Sequence, residues 1–309
     1  MRTVLNLFIL LALSVSSYAH GGKNHEHSDI FANMKAGDKA AILMVHFGTT
    51  HDDTRALTID ALNDNVKRTF PGIEVREAYT ARIVIKRLSE RGIMKEKPLT
   101  VLQQLKKEGY THLLIQPSTI IDGVEKESLD KDIAAVKSEF KDIRTGDPLL
   151  YTPEDYENLI GVLIQNTDKQ TAYVLVGHGT YDSNTAQYAM LDYMLKSKGY
   201  NNFIVGTIEG YPSFDDVTYQ LKTLNLKEVQ LIPLMFVAGE HAKNDIAGDW
   251  KNDLEKEGYT VHVQMEGLGQ NAEIQNLYIN HLRYIAKHRK YGIMEKKAIY
   301  EVTGEKMTD

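Results

Sequence analysis

One strand-to-turn signature occurs twice in this chain. Val45-His46-Phe47-Gly48-Thr49 follows an apolar run near the start, and Val176-Gly177-His178-Gly179-Thr180 follows another about 130 residues later, the mark of two related α/β halves. The pattern around the signatures agrees. Residues 40–45 form a continuous apolar run of the kind buried on both faces of a parallel sheet, and residues 52–70 have helical spacing closed by Pro71-Gly72. Strands over 73–79 and 113–116 then alternate with helices over 82–91, 98–108 and 123–140. The second half repeats this order, with strands over 172–176, 203–207, 229–236 and 260–264 alternating with helices over 182–198, 214–224, 240–257 and 272–288. The predicted class is α/β: two similar halves, 39–150 and 151–309, each a parallel sheet with helices on both faces.

The first residues stand apart from this pattern. Arg2 precedes an apolar stretch over 4–13, and Ser17-Tyr18-Ala19 offers the small residues a signal peptidase reads, so 1–19 is expected to be a cleaved leader and the mature protein periplasmic. The stretch is well short of the roughly 20 residues that span a bilayer, and no membrane span is expected. Residues 20–38, with His20, His25 and His27, are expected to be a flexible segment, either gathering metal weakly or carrying incidental histidines. The chain has no cysteine, which excludes disulfides, thiolate ligands and iron–sulfur clusters and leaves His, Asp and Glu to hold any transition metal. A net charge of −6 gives a nucleic-acid partner no support, and no Walker-type phosphate loop is present for a nucleotide.

The second half carries chemistry that the first lacks. His178 lies in the repeated turn, Glu209 follows a strand in Gly206-Thr207-Ile208-Glu209-Gly210-Tyr211-Pro212, and His241 follows another in Ala238-Gly239-Glu240-His241-Ala242. All three sit beyond strand ends, where open α/β sheets bind ligands, and are read as one metal site. Two imidazoles with a carboxylate suit Co, Fe, Ni or Zn, whereas an all-oxygen set would indicate Mg or Ca. Superposing the halves by motif sets Phe47 at the place of His178, Tyr79 at that of Glu209 and Glu125 at that of His241. A metal then binds on the second half, with the first half facing it across a cleft. His46, Tyr79 and Glu125 are the candidate ligand contacts on that facing wall, although Glu125 also suits the opening of a helix. His51, His112, His262, His281 and His288 are read as structural or surface residues.

Gly177-His178-Gly179-Thr180, the Gly206–Pro212 motif and Pro233-Leu234-Met235-Phe236-Val237-Ala238-Gly239-Glu240-His241-Ala242-Lys243-Asn244-Asp245 together resemble the anaerobic sirohydrochlorin cobaltochelatases, relatives of the ferrochelatases. The resemblance runs from about Ala40 to the last helix. It implies two flavodoxin-like halves with the active site between them, and ATP-independent insertion of a divalent metal into a tetrapyrrole. The metal is a substrate, Co2+ by this resemblance, with Fe2+ and Ni2+ as alternatives. His178 and Glu209 match the family's catalytic positions, and His178, Glu209 and His241 its metal positions. The chain departs from the family pattern at His46, where Ser is usual, and at Ser118-Thr119, where Leu-His is usual. Two other readings stay open: a periplasmic haem- or metal-binding protein, and a dechelatase that removes metal from an imported tetrapyrrole. A homo-oligomer is compatible with the sequence.

Overall fold

The structure, a computed structural model, describes residues 25–304. The expected leader and His20 lie outside them. Eight strands build two four-stranded sheets: β1 Ala40–His46, β2 Glu74–Tyr79, β3 His112–Pro117 and β4 Asp142–Thr145 in the first, β5 Thr171–Gly179, β6 Phe203–Glu209, β7 Glu228–Pro233 and β8 Thr260–Val263 in the second. Every pairing is parallel, in the orders β2-β1-β3-β4 and β6-β5-β7-β8. Strand order therefore reverses between β1 and β3, and again between β5 and β7, leaving a crevice at the carboxyl end of each central pair.

Alternation along the central strands explains why they read as unbroken apolar runs. Ile42 and Met44 of β1 join one core while Ala41, Leu43 and Val45 join another; in β5, Tyr173 and Leu175 face the first of these cores and Ala172, Val174 and Val176 face a third. Both faces of each sheet are thus covered by helices. The shared core fuses the halves, because it holds Ile42 and Met44 of the first sheet together with Tyr173 and Leu175 of the second.

Two sequence expectations are corrected here. The helix Ala272–Lys287, which the sequence reading takes as the last, is not confined to the second half: its Tyr278 hydroxyl donates toward the carbonyls of Ser118 and Thr119 at 3.2 and 3.1 Å, and His281 meets the Asp147 carbonyl at 3.0 Å and Asp155 at 2.8 Å. Its Ile274, Tyr278, Ile279, Leu282 and Ile285 form one buried stripe at helical spacing. The stretch from Ser28 is not a free tail either. Ile30 is fully buried, its N–H and that of Ser28 donate to Ala286 and Lys287 carbonyls at 2.9 and 2.8 Å, and Arg144 donates to the Ser28 carbonyl at 2.5 Å. Ile30-Phe31-Ala32 and Met34 are too short a run, in an otherwise polar stretch, to show a period. Residues 28–288 form one compact unit. A second, small unit contains the strand His25–His27, residues of the strand His288–Lys290 and the helix Ile293–Thr303, with Tyr291 donating to Glu26 at 2.6 Å.

Strand register tests the superposition of the halves. Val45 pairs with Ala78 and Pro117, and Val176 with Gly206 and Pro233. Phe47 therefore matches His178, and Glu125 matches His241, eight residues past the paired prolines. Tyr79 matches Thr207 instead of Glu209, whose counterpart is Ala81. Motif spacing misplaced it because the loop after β6 carries extra residues before its helix.

Candidate active site

A cavity of about 400 Å³ opens where the carboxyl ends of β1, β3, β5 and β7 converge, within the usual range for a small-molecule site. His46, Phe47, Ser118 and Val124 are among the lining residues from the first half, and His178, Tyr188, Phe236 and His241 among those from the second. Both strand-order reversals thus empty into one cleft.

His178 and His241 are brought together as predicted. Their rings lie edge to face with centroids 4.6 Å apart. His241 Nδ1 donates to Asp245 Oδ2 at 2.7 Å, and His178 Nδ1 lies 3.3 Å from the Gly179 carbonyl. In both rings the backing partner occupies Nδ1 and leaves the Nε2 lone pair for a cation, the usual division of labour in histidine metal sites. Local sequence makes this geometry. Gly179 has φ +87°, and a Cβ there would run into the Glu209 carbonyl, so only glycine lets the two chains lie this close. At Gly177 a Cβ would strike the Tyr188 ring, whose hydroxyl accepts from Gly179 N–H at 3.4 Å. Burial pushes the Tyr188 phenol up to about 12, so it stays protonated beside the imidazoles.

Glu209 stands elsewhere. It ends β6, an edge strand, paired in register with Gly179; its side chain is exposed and does not line the cavity. Among the described residues no three His, Cys, Asp or Glu side chains cluster to hold a metal ion. The pair of imidazoles is the assembled part of the site, because β5 and β7 flank the strand reversal while β6 lies one strand away from it.

On the opposite wall His46 is buried and lines the cleft, as expected, but as part of a network. Asn63 Nδ2 donates to Glu77 at 3.0 Å, so Asn63 Oδ1 accepts from His46 Nε2 at 3.0 Å, and His46 Nδ1 accepts from the Ser118 hydroxyl at 2.9 Å. The two departures from the family pattern thus touch each other. Burial pushes the His46 pKa down to about 4 against the pull of Glu77, so it is neutral at pH 7. Glu125 lines the cavity in the first turn of the helix Val124–Val136, partly exposed. Tyr79 is corrected: it is fully buried, does not line the cavity, and packs its ring under Gly48 with Lys95 Nζ 5.0 Å from the ring centroid. An aromatic at a strand end reads equally well as cleft or core, and only the strand's edge position decides for core.

Sequence reasoning passed over several residues. Asp245 was legible as an i, i+4 partner of His241. His51, read as a structural or surface residue, lines the cleft and spans it, with Nε2 2.9 Å from Glu240 Oε1. Arg87, from the helix Arg82–Ser89, had no local signal at all.

Comparison with known proteins agrees with this arrangement. The family model described as Cobalt chelatase (CbiK) matches residues 40–287. The sirohydrochlorin cobaltochelatase of Salmonella typhimurium is 34% identical over 252 residues, covering 79% of this chain and 95% of that protein. The sirohydrochlorin cobaltochelatase CbiKC of Nitratidesulfovibrio vulgaris is 29% identical over 254 residues, covering 79% and 89%. Among solved structures, SirB from Bacillus subtilis with Fe3+ is similar at a TM-score of 0.60 and 16% identity, covering 80% of this chain and 96% of that one. CbiX, the terminal enzyme of sirohaem biosynthesis in denitrifying bacteria, follows at 0.51 and 18%, covering 79% and 98%; at such identities the likeness is one of fold. Two four-stranded parallel sheets, a cleft at their reversals and paired imidazoles within it accompany a family match across most of the chain: it belongs to the CbiK family of cobalt chelatases.

Proposed function

We propose that this protein is a sirohydrochlorin cobaltochelatase, inserting Co2+ into the tetrapyrrole without a nucleotide. The observation that carries the reading is the His178–His241 pair, 4.6 Å apart and backed on both Nδ1 atoms, inside a cleft in a chain of this family. Insertion must strip water from the cation, hold it beside the macrocycle and accept two pyrrole protons as two metal–nitrogen bonds replace two N–H bonds. His178 and His241 take the cation as borderline ligands. Glu209, whose backbone lies against Gly179, supplies the carboxylate as third ligand or proton acceptor on turning toward the cleft. The apolar first wall holds the macrocycle face and excludes water from the exchange.

Purified protein mixed with sirohydrochlorin and Co2+, Fe2+ or Ni2+ should change its absorption faster than the uncatalysed mixture, fastest with Co2+. Glu209→Gln should then slow turnover by about 10²- to 10⁴-fold if the carboxylate accepts a proton. No acceleration with any of the three metals would leave a binding protein instead. We also propose export by residues 1–19; the amino terminus of native protein from the cell envelope should then be His20, and an intact Met1 in the cytosol refutes it.

A further inference from the structure

The first-half wall exposes apolar side chains that none of the described residues covers. Phe47, Ile83 and Val124 line the cavity with 42%, 55% and 39% of their surface free. Arg87 lies on this wall one helical turn beyond Ile83, so the two share a face of the helix Arg82–Ser89. It is exposed and has no hydrogen-bond or ion-pair partner among the described residues. Its neighbours show how unusual that is. Arg55 pairs with Asp52, Arg91 with Asp52, Lys95 with Glu77 and Lys126 with Asp130. Apart from histidines, Arg87 is the one cationic side chain among the described residues that lines the cavity, and the carboxylate of Glu240 there is already engaged by His51.

We propose that Arg87 is the anchor for a carboxylate on the periphery of the tetrapyrrole and so selects acid-bearing macrocycles over neutral ones. The inference rests on the chelatase reading and names how that site recognises its organic substrate. Sirohydrochlorin is a flat apolar ring edged with acetate and propionate groups. A wall of Phe47, Ile83 and Val124 matches the ring face, and an unpartnered guanidinium at the edge of that wall matches the rim. The planar fork of an arginine grips a carboxylate through two parallel N–H donors, which fixes rotation of the macrocycle in its plane as well as affinity. A lysine would supply charge without that orientation. Arg87 touches neither imidazole, so its contribution falls on tetrapyrrole binding and leaves cation binding alone.

The test compares wild type, Arg87→Ala and Arg87→Lys in binding metal-free sirohydrochlorin by fluorescence quenching, in Co2+ affinity, and in KM and kcat with sirohydrochlorin and with its methyl esters. Arg87→Ala should weaken binding and raise KM about 10- to 100-fold, the range for a charge-assisted pair, while kcat at saturation is retained. Arg87→Lys should recover part of the affinity, Co2+ binding should be equal in all three, and the methyl esters should bind wild type and Arg87→Ala alike. If wild type binds sirohydrochlorin and Arg87→Ala binds it equally well, or if wild type does not prefer the acid to its esters, the inference is overturned and the chelatase reading stands. If wild type neither binds nor metallates sirohydrochlorin, both fall. Arg87 is a surface residue on a folded helix, so its variants are expected to melt as wild type does.

Discussion

Single side chains in this site work through their partners. The Asp245 carboxylate holds His241 by its Nδ1–H at 2.7 Å, fixing the tautomer and the aim of Nε2. Removing either imidazole should abolish tight Co2+ binding, and Asp245→Asn should weaken it about 10- to 100-fold, as loss of such a backing group does in other metal sites. Calorimetric Co2+ titration checks both; unchanged affinity in His178→Ala would remove that histidine from the site. On the facing wall, His46 is neutral in the folded protein with its pKa pushed down to about 4, against about 6.5 when unfolded. Between these values the unfolded chain binds the additional proton, so stability is full above pH 6.5 and falls as pH drops toward 4. Urea midpoints should decline across that window in wild type and decline less in His46→Gln. An equal slope in the two proteins would mean that His46 is not the group responsible.

At the level of elements, the loops after β5 and β6 are coupled through one glycine. Gly179, at φ +87°, lets the Glu209 carbonyl pass where a side chain would stand. Gly179→Ala costs about 1–2 kcal/mol for the left-handed backbone alone, and the displaced β6 end adds to it. The melting temperature should fall by roughly 2–4 °C per kcal/mol for a chain of this size. Turnover should fall further than the loss of stability explains, because His178 and Glu209 flank the disturbed contact. A variant with normal turnover at 25 °C would show that this close approach serves packing alone.

Across the molecule, the repeat is not two independent bodies. The core shared by Met44 and Leu175 also takes in Ile279 and Leu282 of the helix Ala272–Lys287, and Tyr278 reaches the Ser118 and Thr119 carbonyls of the first half. Residues 28–288 should therefore unfold in one cooperative step, with near- and far-ultraviolet circular dichroism coinciding. Ile279→Ala should cost about 2–5 kcal/mol and shift that single transition without splitting it. Two resolved transitions would mean that the sheets are stabilised separately. The arrangement also accounts for the cleft: a core bridging the halves keeps the imidazole wall and the apolar wall facing each other.

Much of this was written in the local pattern. Unbroken apolar runs over 40–45 and 172–176 are what strands covered on both faces require, and the repeated turn named both halves and the strand ends that carry His178 and His241. Glycines beside His178 marked a close backbone approach. Other features depend on which strands become neighbours, and spacing along one chain does not encode that. Edge placement of β2 and β6 carried Tyr79 into the core and set Glu209 outside the cavity, although both stand at strand ends like the histidines. The Ser118–His46–Asn63–Glu77 network joins four separate segments, and Arg87 enters the cleft from a helix whose sequence reads as ordinary surface. Periodicity fixes which face of an element is buried, so sequence determined the elements and the histidine pair. Side chains far apart along the chain meet only when sheets and helices dock, so the opposite wall of the site was decided by the tertiary structure.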